Sequence, residues 1–246
     1  EQVYPTDALK VYLMSIANSN FEEWTTREKT FDLTKFPFSI KKMSLDGALF
    51  DQDKLNYFSK EIIAKMPLEK EFEEVKAYAE KHDEALAAQI EKNPAYLKQI
   101  LNIEKDRKNP RKDYAKYGDI YPLIRFFFEE EYAKMIAEPL PFQAKFAPAL
   151  LSALLKKAAL EMPFLVDENT WFNAIKEIGG SLGFATSNKD YKENPEAYKG
   201  SLSDIAENLR VAIVGSLQSP NLHEIIEILG EAEVKRRLSE VASRLA

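Results

Sequence analysis

Two arginines stand out as planar cations that could reach a ligand: one follows a helix-breaking proline, and the other lies within an apolar helical run. The first, Arg111, follows Pro110 in the run Asn-Pro-Arg-Lys at 109–112. It lies within residues 92–125, where nine Lys or Arg oppose four Asp or Glu, a local net charge of +5. A guanidinium can pair with two acceptors on one base edge, and the two tyrosines that follow can stack on unpaired bases. The alternative is a solvated charged surface without a ligand.

The second arginine, Arg210, lies within an apolar helical pattern. Apolar residues recur at 202, 205, 209, 212 and 213, and Ser219-Pro220 then ends the segment. An arginine beside such a stripe often extends its charged group to solvent while its stem packs. A helix predicted to start near Asn221 offers a second interpretation. Backbone amides at a helix start suit an acceptor such as a phosphate or a base edge.

Residues for catalysis or metal binding are scarce. The only histidines are His82 and His223. Neither has a Glu three residues before it, so a helical carboxylate–histidine metal site is not indicated, and both are predicted to lie at the surface. Cysteine is absent, which excludes thiol nucleophiles and thiolate metal sites. The basic run Lys-Lys-Met-Ser at 41–44 is predicted to be a solvated loop, and the Gly-rich run at 179–183 a helix terminus.

Composition predicts a helical protein. Of 246 residues only 8 are Gly, 45% are hydrophobic and 30% are charged, a balance that favours helices over sheets. The net charge of −6 argues against a general nucleic-acid coat but allows one basic face. The start lacks an initiator Met and the basic and apolar regions of a signal peptide. We therefore expect a fragment of a longer protein that is not inserted in a membrane.

Apolar spacing predicts an all-α, multi-helical fold without sheet or fixed-length repeat. After shorter helices up to residue 66, helices are predicted over about 67–81, 83–92, 94–107, 119–136, 143–161, 168–183, 202–217, 221–229 and 231–245. Breaks near 66 and 142, the second beside Pro139 and Pro141, predict three regions: 1–66, 67–142 and 143–246.

These segments together resemble the C-terminal region of bacterial glutamyl-tRNA synthetases. The resemblance is most specific in residues 195–238: the arginine-containing run at 209–215, the Ser219-Pro220 turn, Leu-Gly at 229–230 and Arg-Leu at 237–238. Tyr-Pro-Thr-Asp-Ala at 4–8, and the pattern Phe-Asp-x-x-Lys-Leu at 50–55, resemble segments near the start of that region.

The resemblance implies an organisation and an activity. The whole enzyme, a class I aminoacyl-tRNA synthetase, joins glutamate to its tRNA with ATP and magnesium in an N-terminal catalytic domain. This chain would lack that domain, with no cofactor or catalytic residue of its own and no activity alone. Residues 1–66 would be a helical region that contacts the tRNA stem, and 67–142 and 143–246 two helical anticodon-binding domains.

The resemblance also assigns residues and partners. Arg111 matches the position that monitors the first anticodon base. Positions that contact the second and third bases are matched by Arg210, Ser219, Pro220 and Leu222. Backbone contacts are expected from Arg107, Lys108 and Lys112. The expected partner is tRNA(Glu), with tRNA(Gln) as a second candidate, and the protein is expected to be a cytoplasmic monomer.

Two other classes of function remain open from the sequence. A helical protein–protein interaction module would show a large exposed apolar patch and no basic face around the two arginines. A small helical hydrolase or metal enzyme is disfavoured by the two histidines and the absence of cysteine.

Overall fold

The computed structural model describes residues 3–43 and 49–246, and this part of the chain is helical. The prediction of an all-α fold is confirmed: the described residues contain no β-strand, only an isolated bridge between Asn18 and Met43. The end of the basic run, Ser44, lies outside the described residues. No described helix combines the length and apolarity that crossing a bilayer requires.

The helices are α1 (Thr6–Ala17), α2 (Phe21–Glu28), α3 (Gln52–Lys65), α4 (Leu68–His82), α5 (Glu84–Lys92), α6 (Pro94–Leu101), α7 (Ile120–Ile124), α8 (Glu129–Ala137), α9 (Pro148–Glu161), α10 (Glu168–Gly180), α11 (Asn188–Glu193), α12 (Leu202–Val214), α13 (Leu222–Leu229) and α14 (Glu231–Arg244). The chain divides into two compact units, Glu1–Pro122 and Leu123–Ala246.

The first unit contains an aromatic core beneath α1–α3. Phe21 stacks on Trp24 at 5.9 Å between ring centroids, and the ring of Phe36 meets both edge-on. Tyr12 and Phe58 are buried in the same cluster. At the start of α3 the side chain of Asp51 accepts a hydrogen bond from the backbone amide of Lys54. Helices α4, α5 and α6 pack on one another.

Three predicted helices are wrong in extent. The helix predicted over 94–107 ends at Leu101, so the basic run that follows lies on a loop. The helix predicted over 119–136 is interrupted at Phe128, whose extended backbone separates α8 from a 3-10 turn. Residues 126–128 are all buried aromatics, and three consecutive side chains cannot share one face of a helix. The helix predicted from 143 begins at Pro148. Helix α11 was not predicted.

In the second unit α14 packs along α9, and α12 packs on both. Helix α12 also approaches α10 closely, because a Cβ added to Gly179 would lie 2.1 Å from Cδ1 of Ile205. The Gly-rich run at 179–183 is a helix terminus, as predicted, since α10 ends at Gly180. Helix α12 ends at Gly215, whose φ of +77° suits glycine.

Arg237 is the largest fully buried side chain of the described residues, at 1% exposure. Its Nε donates to Glu233 at 2.6 Å, and its Nη1 donates to the carbonyl of Ile213 at 2.7 Å. The guanidinium lies 3.8 Å from the ring centroid of Tyr132, whose hydroxyl donates to the carbonyl of Ala212 at 2.6 Å. The carbonyls in the last turn of a helix have no partner within the helix. In α12 two of them accept hydrogen bonds from the buried side chains of Arg237 and Tyr132.

The first turn of α12 is fixed by Asp204, which is 6% exposed. Its carboxylate accepts hydrogen bonds from the backbone amide and hydroxyl of Ser201 and from Lys145 at 2.9 Å. Burial alone raises the pKa of Asp204, but these hydrogen bonds outweigh it and hold the pKa below the usual range. Lys145 therefore reaches α12 from the non-helical segment just before α9.

Arg237→Ala is expected to lower the free energy of unfolding by about 3–5 kcal/mol, because it leaves buried acceptors without a donor. The neighbouring Arg236 is 41% exposed, so the control Arg236→Ala is expected to cost about 1 kcal/mol or less. Urea unfolding of both variants measures the difference. Equal, small losses would show that Arg237 does not hold the second unit together.

Asp204→Asn is expected to destabilise the protein by about 1–3 kcal/mol at neutral pH, because charge-assisted hydrogen bonds are lost. A depressed carboxyl pKa stabilises the fold above the unfolded pKa, and this contribution disappears as pH falls through the folded pKa. The difference between wild type and variant is therefore expected to shrink below about pH 4. Chemical unfolding at pH 7, 5 and 3 measures it, and a difference unchanged at pH 3 would refute this role.

Candidate nucleic-acid interface

Arg111 lies on the loop of residues 102–116, between α6 and a 3-10 turn at Tyr117–Asp119. Its Nε pairs with Asp113, and its Nη1 lies 3.4 Å from Oε2 of Glu104. The side chain is 31% exposed. The guanidinium is thus held by two carboxylates of its own loop, and a nucleic-acid ligand at this position must compete with them.

A buried carboxylate on α4 holds the base of this loop. Glu71 is 1% exposed and contacts Lys105, while Tyr114 donates its hydroxyl proton to it. Lys105 also donates to the carbonyl of Ile63 at 3.1 Å. Burial raises the pKa of Glu71, against the lowering effect of its bonds with Lys105 and Tyr114. Because Lys105 and Tyr114 lie on either side of Arg111 in the sequence, Glu71 fixes both ends of the segment that carries it.

The three residues expected to contact the RNA backbone lie on the same loop. Arg107 is 41% exposed and lies 3.8 Å from Glu104. Lys108 is exposed. Lys112 pairs with Glu61 of α3. The structure therefore brings Arg107, Lys108 and Lys112 together with Arg111 on one loop.

Arg210 is held by the loop that follows α12. Its Nη1 donates to the carbonyls of Ser219 and Pro220 at 3.2 and 2.9 Å, and to the hydroxyl of Ser219. The structure thus brings Arg210, Ser219 and Pro220 into one cluster. The two carbonyls and the hydroxyl orient the guanidinium within the second unit.

The start of α13 adjoins this cluster. Asn221 caps the helix as predicted, because its side chain accepts from the amide of Glu224 at 3.0 Å. Its Nδ2 donates to Glu168 at 2.6 Å. Leu222 is 4% exposed, so its side chain packs in the core. A contact of Leu222 with an anticodon base stays a prediction.

The surface position predicted for His223 is wrong, whereas His82 is exposed. His223 is 7% exposed, and its Nε2 lies 2.8 Å from the carbonyl of Val166. Its ring centroid lies 5.6 Å from that of Trp171. His223 can be buried on this short helix because the carbonyl of Val166 satisfies one of its ring nitrogens.

Sequence reasoning missed Glu71 as a structural residue. A weak signal exists, since Glu71, Val75 and Tyr78 are spaced four and three residues apart and so share one face of a helix. An acid on a buried stripe needs buried donors, but the sequence does not identify them as Lys105 and Tyr114. Among the described residues, no group of three His, Asp or Glu is placed to hold a metal ion.

Comparison with known proteins relates this chain to translation enzymes. Residues 185–242 match the family described as "Anticodon binding domain". The glutamate–tRNA ligase of Acetivibrio thermocellus is 37% identical over 97% of this chain and 43% of that protein. The glutamate–tRNA ligase of Clostridium perfringens strain 13 is 34% identical over 97% of this chain and 44% of that protein. The chain thus spans less than half the length of these curated relatives.

A solved structure supports the fold. The crystal structure of a glutamate tRNA ligase from Elizabethkingia meningosepticum, in complex with its amino acid, matches 99% of this chain and 42% of that chain. The TM-score is 0.56 at 20% sequence identity. The matched family does not favour the alternative of a protein–protein interaction module.

Asp113→Asn is expected to strengthen binding of an RNA hairpin at the loop of residues 102–116. The substitution removes one carboxylate that holds Arg111, and the gain is expected to be about two- to fivefold, the scale of a partly exposed ion pair. Asp106→Asn is the matched control, since it removes the same charge from an exposed position of the same loop. Fluorescence anisotropy measures both affinities, and equal gains would mean that only net charge matters.

Proposed function

From the match of this chain to the C-terminal part of glutamate–tRNA ligases, we propose that it recognises the anticodon of tRNA(Glu). The observation that carries the proposal is the cluster of Arg210 with Ser219 and Pro220, which lies within the residues that match the anticodon-binding family. A guanidinium fixed at a helix junction is suited to pairing with the edge of an unstacked base.

The two units would contact different bases of the anticodon. Arg210, Ser219, Pro220 and Leu222 would contact the second and third anticodon bases, and Arg111 the first. Arg107, Lys108 and Lys112 would contact the RNA backbone and account for a salt-dependent part of the affinity. The proposed domains remain 67–142 and 143–246 for the anticodon, with 1–66 against the tRNA stem.

The whole protein would ligate glutamate to tRNA with ATP and magnesium. The chemistry would take place in a part of the protein that this chain does not include, because the chain spans 43% of a full-length relative. This chain alone is therefore expected to bind tRNA without charging it. We further propose a cytoplasmic monomer, with tRNA(Gln) as a second candidate partner.

Arg210→Ala is expected to weaken binding of tRNA(Glu) by about 1–3 kcal/mol and to reduce discrimination against a tRNA with a substituted anticodon. The control Lys156→Ala removes one positive charge from an exposed position of the same unit, and it is expected to leave discrimination unchanged. Filter binding at several salt concentrations measures both variants. The affinity of the wild type should fall linearly on a log–log plot against salt.

Two results would contradict the proposal. The first is equal affinity of the wild-type chain for tRNA(Glu) and for the same tRNA with its anticodon replaced. The second is an Arg210→Ala variant that folds normally and still discriminates between these two RNAs as well as the wild type does.

A further inference from the structure

A small cavity in the second unit is lined by residues that the proposed function does not use. Its volume is about 90 Å³, and it lies between the segment after α9, the start of α10, and helices α13 and α14. The lining residues that give it its chemistry are Phe164, Leu165, Trp171, His223 and Glu227. An apolar cavity of about 150 Å³ can hold benzene, so this smaller cavity suits an aliphatic side chain rather than an aromatic ring.

The indole of Trp171, on the wall of this cavity, has a donor without an acceptor. Trp171 is 5% exposed, and its Nε1 has no hydrogen-bond partner among the described residues. A buried donor that stays unpaired destabilises a fold, so such donors are rare. The nitrogens of His223 face other groups, since Nε2 lies 2.8 Å from the carbonyl of Val166 and Nδ1 lies 3.7 Å from Oε2 of Glu227. An occupant that brings a carbonyl oxygen to the indole would supply the acceptor.

The rim of the cavity is apolar and acidic. Leu165 is 92% exposed and has a φ of +56°, a strained conformation for a residue other than glycine and one that is often found at functional sites. Glu227 and Glu231 are 46% and 56% exposed. The nearby cation is Lys235, which pairs with Glu231 at 2.6 Å and lies 5.5 Å from the ring centroid of Phe164. Because the carboxylates outnumber this cation, the rim repels phosphates and attracts a basic partner.

We propose that this cavity is a docking site for a basic segment of another protein, which inserts one aliphatic side chain into it. A backbone carbonyl of the segment accepts from Nε1 of Trp171, and its cationic side chains pair with Glu227 and Glu231. Burial of the aliphatic side chain contributes most of the affinity, and the charges select the partner. The inference does not rest on the proposed function, because it uses neither Arg111 nor Arg210.

The test uses the 246-residue chain and three short peptides with blocked ends. The first is Arg-Ala-Leu-Ala-Arg, the second has Ala in place of Leu, and the third has Glu in place of both Arg. The isotope-labelled chain gives separate indole signals for its two tryptophans. The signal of Trp171 is expected to move and saturate with the first peptide, whereas that of Trp24, in the aromatic core of the first unit, stays in place. The second peptide is expected to bind about 10-fold more weakly, and the third not to saturate.

Two substitutions test the polar contacts by anisotropy of the labelled first peptide. Trp171→Phe keeps an aromatic ring without Nε1 and is expected to weaken binding by about 3- to 10-fold, the scale of one hydrogen bond. Glu227→Gln is expected to weaken it by about two- to fivefold. Glu196→Gln removes the same charge from an exposed position of the same unit and is expected to bind like the wild type. Thermal unfolding establishes that each variant folds, and if Trp171→Phe does not, Glu227→Gln and the peptide series decide.

Four results would overturn the inference. The first is a Trp171 signal that does not respond to the first peptide, which would mean that the cavity takes up only water. The second is equal binding of all three peptides. The third is displacement of the peptide by an anticodon hairpin, which would make RNA the occupant. The fourth is a Trp171 signal that shifts with the concentration of the chain alone, which would make a second copy of this chain the occupant.

Discussion

The carbonyls at the end of α12 must be satisfied inside the second unit, and the surroundings of Arg210 depend on how this is done. Arg237 from α14 and Tyr132 from α8 each donate to one of them. Glu233 pairs with the buried guanidinium, so the charge is not left alone in the core. With these carbonyls bound and Gly215 in the left-handed region, the chain leaves α12 in a direction that returns Ser219 and Pro220 to Arg210.

The two candidate arginines are held by different chemical groups. Arg210 is oriented by a hydroxyl and two carbonyls of the loop that follows α12. Arg111 is held by carboxylates of its own loop, so a contact with RNA would exchange one ion pair for another. Glu71 limits how far that loop can move, because it binds residues on both sides of Arg111. A chain with a net charge of −6 can therefore present cations locally.

Much of the fold could be predicted because helix signals are local. Asp51 and Asn221 mark helix starts by their side chains, and each does so in the structure. The failures occur where long-range contacts override the local pattern. Lys105 contacts Glu71 of α4, which lies more than 30 residues earlier in the chain. Helix α6 ends before it reaches Lys105.

The candidate site also has a part that could be predicted from the sequence and a part that could not. The neighbourhood of Arg210 and the Ser219-Pro220 turn follows from their spacing and from the resemblance to a family. The ion pairs of Arg111 and the burial of His223 do not, because they depend on which elements meet. A sequence pattern can place a residue on one face of a helix, but it does not identify the side chain that packs against that face.

We propose that two loops of this chain bind the anticodon loop. This is tested by amide chemical shifts of the isotope-labelled chain, recorded while an anticodon hairpin of tRNA(Glu) is added. The largest changes are expected on the amides of residues 102–116 and 216–223, and they are expected to saturate together. Changes confined to other surfaces, or no changes at all with added hairpin, would contradict it.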